Sequence, residues 1–168
     1  MLSKLEIHAF TDSMRQLSQK QNSCSAMYNP ESVNISYSIE WQEEQGLGKS
    51  DSPIRYINNN PEKISFKLIF SDVGVEELGI VKIVEPIKPV YTQVQEFLRI
   101  TTKNGKGKDG DMGRPYYLEL HWGQTFNNDG NDYPCQLSSV DVTYTQFDRA
   151  GNPLRAELDV EFTEDQRV

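Results

Sequence analysis

The last third of the chain leaves little choice of architecture. Three long segments, running from Arg114 to Gly123, from Leu137 to Phe147 and from Leu154 to Phe162, alternate polar and apolar residues almost without interruption. Successive side chains of an extended chain point to opposite faces, so a period of two marks strands with one buried face. The second and third segments are joined by Asp148, Arg149, Ala150, Gly151, Asn152 and Pro153, a run of residues that turn a chain. Val140, Val142 and Tyr144 are expected to meet Leu158, Val160 and Phe162 across that turn in one antiparallel unit, held by aromatic and β-branched cross-strand pairs. The opposite face carries Ser139, Asp141, Thr143, Thr145, Asp159 and Glu161, a polar surface suited to solvent or to the wall of a wide channel.

Earlier segments repeat the pattern. Leu5, Ile7 and Ala9 share one side of a first strand, with His8 on the other. The polar stretch from Thr11 to Ser25 reads as a loop or a loosely held second strand. Ala26 to Ser32 then enters a corner, because Pro30 removes a ladder donor and restricts Asn29. Val33, Ile35, Tyr37, Ile39 and Trp41 alternate as one strand. Ile64, Phe66, Leu68 and Phe70 form the apolar face of another, and Ile69 on its polar face hints at a second covering surface or a subunit contact. Pro86 and Pro89 confine the one good helix to roughly Val90 through Arg99, with Val90, Val94, Phe97 and Leu98 as a narrow stripe for packing onto a sheet. Polar loops are expected near residues 42–60, 103–113 and 124–134. Strands without alternating helices predict a mainly β fold, an antiparallel β-barrel or sandwich with one short flanking helix, in a single domain over residues 1–168.

Several kinds of chemistry find no support. Formal charge is -8, from 25 acidic against 17 basic side chains, which disfavours binding to nucleic-acid phosphates. The glycine-rich stretch from Gly105 to Gly110 lacks the pattern of a phosphate-binding loop. Asp109, Asp111, Asp129 and Asp132 sit in loops without the spacing of a helix-loop-helix calcium site. Cys24 and Cys135 are far apart, and with no CxxC and no clustered histidines neither zinc nor a redox dithiol is expected. His8 and His121, the only histidines, stand beside no nucleophile motif, so no catalytic residue, cofactor or metal is assigned. No secretory leader and no membrane-spanning segment is expected from the sequence.

Taken in order, certain segments resemble a known family. They are Met27 through Ser32 with Tyr28, Asn29, Pro30 and Glu31, then Pro61 to Phe70, then Val94 to Leu98. Arg114, Pro115, Tyr116 and onward to His121, Trp122 and Gly123 follow, then Leu137 to Asp148 with Gly151, Asn152 and Pro153. The series is similar to the tube-protein domain of contractile injection systems, the phage-tail-like particles that include antifeeding prophages and virulence cassettes. The similarity runs from Leu2 to about Thr163.

That resemblance implies a phage tail-tube type of fold and a ring of six copies whose hairpins contribute to a channel. It implies a ring at the baseplate or inner tube that connects the spike hub to the tube, with the hub and the neighbouring tube and baseplate proteins as partners. Assembly in the cytoplasm without a signal peptide, into a particle that is released or membrane-anchored, is expected. In several relatives the domain precedes a peptidoglycan-binding LysM module, and this chain reads as the domain without it. Carried over by position, Tyr28 to Glu31 is a structural corner. Arg114 to Tyr116 is the entry to a strand ending in His121, Trp122 and Gly123, and Asp148 to Pro153 closes the final hairpin. Residues 46–60 and 123–132 are the expected contacts between rings. The alternative expectation is a β-rich carbohydrate- or protein-binding module, for which Trp41, Tyr56, Tyr116 and Trp122 would have to line one groove.

Overall fold

The computed structural model describes residues 3–43, 54–72, 75–77, 80–82, 88–102, 115–128 and 131–165. Twelve strands are present among them: β1 (Glu6–Phe10), β2 (Lys20–Ser25), β3 (Val33–Ser36), β4 (Ile39–Glu43), β5 (Ile54–Asn59), β6 (Lys63–Ser71), β7 (Val75–Glu77), β8 (Ile80–Lys82), β9 (Tyr117–His121), β10 (Asn127–Asn128), β11 (Asn131–Phe147) and β12 (Pro153–Glu164). One α-helix, α1 (Val90–Thr102), accompanies them. The main sheet is antiparallel throughout, in the order β2-β1-β9-β11-β12-β6-β3, with β10 paired to the start of β11. No pairing among the described residues joins β2 to β3, so the sheet is not a closed barrel and is compatible with a sandwich-like fold.

The alternation decides which face is buried. On β6 every second residue from Ile64 to Phe70 is buried, and β12 answers in register: Phe162 opposite Ile64, Val160 opposite Phe66, Leu158 opposite Leu68, Ala156 opposite Phe70. Leu5 just before β1, Ile7 and Ala9 of β1, and Leu118 and Leu120 of β9 extend the same core. Helix α1 covers it, touching β12, β6 and β2, so it bridges distant parts of the sheet. Pro89 sets the start of α1 by offering its carbonyl to the Gln93 N–H at 3.1 Å, and Arg99 in the last turn suits the negative end of the helix dipole. Val90, Val94 and Phe97 are buried as the stripe predicts, and Phe97 packs on Phe70 with ring centroids 6.1 Å apart. Leu98 is only half-buried. The stripe turns instead through Ile100 and Thr101, whose hydroxyl donates to the Phe97 carbonyl at 2.9 Å.

Three boundaries differ from the sequence reading. The polar loop expected near residues 42–60 holds a strand, since Ile54 to Asn59 form β5 and pair with β4. The single strand expected from Val33 to Trp41 is two strands. Residues 33–36 pair with β6, the chain breaks step at Tyr37 and Ser38, and residues 39–43 pair with β5 in a separate two-stranded sheet. The polar loop near residues 124–134 is partly sheet, since Tyr133, Pro134 and Cys135 already pair with Leu120, Glu119 and Leu118. Pro134 hid this start, because proline usually argues against a strand. The loop expected at 103–113 lies outside the described residues.

Cys24 and Cys135 are both free thiols. Burial raises both, Cys24 to about 11 with the Glu96 carboxylate adding to the effect, so neither is poised as a thiolate.

Candidate functional site

Besides the terminal edges of β2 and β3, two features of the described surface stand out. The first is the hairpin of β4 and β5, every residue of which is exposed. It nevertheless carries Ile39, Trp41, Ile54, Tyr56 and Ile57, and Trp41 and Tyr56 meet edge-on with centroids 5.8 Å apart. Trp41 is 55% and Ile54 63% exposed, with Tyr37 at 71% where the chain enters the hairpin. An isolated two-stranded hairpin is marginal in water, and grouped apolar side chains of this kind mark a contact surface. At its root lies an open cleft of about 710 Å³ bordered by Tyr37, Ile39, Asn60, Glu62 and Glu164.

The second feature is the edge of β11. Pairing with β9 ends at Cys135, while pairing with β12 continues to Phe147. Among the described residues no strand covers the other edge of residues 136–147. Val140, Val142 and Tyr144, on the core-facing side of this stretch, are only half-buried, and Phe147 is exposed. An open edge of that length is a template for pairing with another chain.

The polar face of β6, β11 and β12 is built as a ladder of charges. Lys67 Nζ lies 3.1 Å from Glu157 and 3.8 Å from Asp159, and Lys63 lies 3.4 Å from Glu161. The hydrogen bond from Lys67 holds the Glu157 carboxyl below its usual range, and the same bond raises Lys67. Asp141 stands directly opposite Asp159 on the next strand, so the β11 side of the face keeps an excess of negative charge.

The residues singled out from the sequence fall at four places. Tyr28 to Glu31 is a corner held by Asn29, which accepts from the Leu5 N–H and donates to the Ser3 carbonyl, both at 2.9 Å. Pro30 there is buried. Arg114 lies outside the described residues, Pro115 is exposed, and Tyr116 is buried as the chain enters β9. His121 ends β9, Trp122 packs on Phe126 and donates to the Ser3 carbonyl at 3.1 Å, and Gly123 turns the chain with φ +51°. Of the four aromatics a single groove would need, Trp41 and Tyr56 sit on the hairpin while Tyr116 and Trp122 belong to the core and its margin.

Residues 148–152 connect β11 to β12. Asp148 accepts from the N–H groups of Ala150 and Asn152, each at 2.8 Å, and from the Asn152 side chain at 2.9 Å, while Gly151 takes φ +85°. These bonds hold the Asp148 carboxyl below its usual range. A carboxyl depressed in the fold adds stability that is present above its unfolded value and lost as pH falls through its folded value. NMR titration of the Asp148 side chain should therefore give a midpoint below that of an unstructured aspartate. Asn152→Ala should move it upward, and an unchanged midpoint would rule out the turn as its cause.

Sequence reasoning missed Arg15. Its side chain is fully buried although it comes from a polar loop, and it donates to the carbonyls of Leu118 (2.9 Å), Ser13 (2.9 Å) and Cys135 (3.4 Å). It also pairs with Asp165 at 2.7 Å and lies over the Tyr117 ring. One side chain thus ties the β1–β2 connection to β9, to β11 and to the end of β12.

Comparison with protein-family models finds a match over residues 1–168 to the family described as contractile injection system tube protein. A search of curated proteins finds no match. No helix among the described residues is long and apolar enough to cross a membrane.

Proposed function

The chain belongs to the contractile injection system tube protein family, and from that membership we propose that six copies form a ring at the baseplate or inner tube, joining the spike hub to the tube. The role is mechanical: the ring holds register, passes spike or payload through its channel and transmits the force of contraction, with no bond chemistry. The observations that carry this reading beyond the family are the open edge of β11 and, separately, the apolar, exposed β4–β5 pair. A closed ring is a natural remedy for both, since each copy covers its neighbour's edge and no copy is left with a free one. The charged face of β6, β11 and β12 then suits the channel, because a hydrated wall lets cargo slide without adhering. The corner at Tyr28 to Glu31 and the turn from Asp148 to Pro153 act as structural positions that fix the strands, and β5 with the segment after Gly123 serves contacts between rings.

Cryo-electron microscopy of the chain assembled with its spike hub and neighbouring tube proteins tests this. Six copies stacked between spike and tube are expected, with Trp41 and Tyr56 covered by a neighbour. The double variant Trp41→Ser/Tyr56→Ser should keep the thermal midpoint of the isolated chain yet fail to enter the particle. A wild-type chain that stays monomeric beside those partners, or a double variant that assembles normally, would overturn the proposal.

A further inference from the structure

The two histidines are far apart in sequence, yet the sheet brings them together. Each belongs to a Glu-x-His triplet: Glu6, Ile7, His8 on β1 and Glu119, Leu120, His121 on β9. In a strand the first and third residues of a triplet share a face. The antiparallel register sets Glu6 opposite His121 and His8 opposite Glu119, so all four side chains occupy one patch. The two imidazoles lie parallel with centroids 6.3 Å apart. Asp132, at the start of β11, completes the group from the third strand, with its carboxylate bonded to His121 Nδ1 and 3.8 Å from His8 Nδ1.

We propose that this patch is a binding site for a divalent transition-metal ion of the Zn²⁺ type, with His8, Glu119 and Asp132 as its ligands. One ligand atom from each of these three lies within 4.8 Å of the others. The separation of 3.8 Å between His8 Nδ1 and Asp132 is too long for a hydrogen bond, but it exceeds by only a few tenths of an ångström the roughly 3.3–3.6 Å that two metal–ligand bonds of about 2.0–2.2 Å set at a tetrahedral ion. The Glu6 carboxylate, 2.9 Å from His8 Nε2, accepts a hydrogen bond from that nitrogen and so leaves Nδ1 as the lone-pair donor facing the gap. His121 holds Asp132 in the same way from behind. Each outer partner orients a ligand, which is how protein metal sites are commonly supported.

An imidazole in the set selects against Mg²⁺ and Ca²⁺, which take oxygen ligands, and favours Zn²⁺ and its first-row neighbours. Glu119 is 4% exposed, whereas the His8 and Asp132 side chains are 14% and 25% exposed, so the site has a buried floor and an open mouth. Its fourth position falls to water. An ion here links β1, β9 and β11, which makes it a structural staple of the first strand, and it does so whether or not the chain forms a ring.

Isothermal titration of the metal-stripped full chain with Zn²⁺ tests the site. One equivalent per chain is expected, with a rise in thermal midpoint that is reversed by a chelator. His8→Ala and Asp132→Asn should each weaken binding by at least about tenfold, and His121→Ala by about tenfold through loss of the outer support. Cys24→Ser should bind as the wild type does. X-ray absorption of the loaded protein should show nitrogen and oxygen neighbours without sulfur. No uptake of Zn²⁺ by the folded wild type, equal uptake by His8→Ala and Asp132→Asn, or a sulfur-ligated ion would each refute the site. Near-wild-type circular dichroism of Asp132→Asn separates lost binding from lost folding.

Discussion

Arg15→Ala is expected to lower the stability of the fold by about 3 kcal/mol, more than a loop substitution has any ordinary reason to do. The guanidinium is wholly buried and its partners are the Leu118 and Cys135 carbonyls of two other strands, the Ser13 carbonyl of its own loop and the Asp165 carboxylate. Truncation strands the Leu118 and Cys135 carbonyls away from water, and a buried acceptor without a donor costs about 1–3 kcal/mol. It also takes the counter-charge from Asp165. Arg15→Lys should recover little of this, because one ammonium cannot reproduce a planar fork aimed at separate acceptors. The backbone supplies a further check. Arg15 has φ +50°, a conformation that costs a residue with a side chain about 1 kcal/mol relative to glycine, so Arg15→Gly should be the milder truncation. Urea unfolding measures all three. A midpoint for Arg15→Ala within error of wild type would remove Arg15 from the account of what holds the sheet together.

Phe162→Ala should cost about 3–5 kcal/mol, the range for emptying a fully buried aromatic site. Phe162 has no exposure, stacks on Phe66 with centroids 5.5 Å apart, and lies between Leu137 on one neighbouring strand and Ile64 on the other. Strands on both sides fix those neighbours, so the cavity cannot collapse easily. Against a total stability of about 5–15 kcal/mol, this loss alone should bring the chain close to its unfolding threshold at physiological temperature. Calorimetry should show a large drop in Tm, with Phe162→Leu much less affected. A drop for the alanine variant no larger than that of an exposed residue such as Phe147→Ala would show that the site is not packed as described.

What the sequence disclosed and what it hid follow one physical rule. Alternation reports that a strand has two unlike faces, and where the apolar face meets the core, as in β6 and β12, pattern and burial agree residue by residue. The same alternation runs through Ile39 and Trp41, but there the apolar face stays exposed among the described residues. A pattern states that something must cover a face and cannot state what does. Arg15 left no pattern at all, because its acceptors at Leu118 and Cys135 are more than a hundred residues away and are backbone atoms, which any residue offers. The histidine cluster lay between these cases. Two Glu-x-His triplets on alternating segments were a readable signal, but only the pairing of β1 with β9 and its register bring them to one patch. The absence of neighbouring histidines in the sequence therefore said nothing about neighbours in space.

The place of β12 in the sheet has a consequence for how the protein is made. It is the last of the described strands, yet it lies between β11 and β6 and supplies Ala156, Leu158, Val160 and Phe162 to the core. While the chain emerges from a ribosome, β6 waits for its central partner until some ninety residues later, for example Leu68 for Leu158. Contacts so distant in sequence make folding slow and leave apolar surface uncovered in the meantime. Residues through β12 must therefore have emerged before the sheet can form. A nascent chain stalled ahead of β12 has the ingredients of the core without the strand that joins its halves, and it is at that stage that the protein most needs a chaperone.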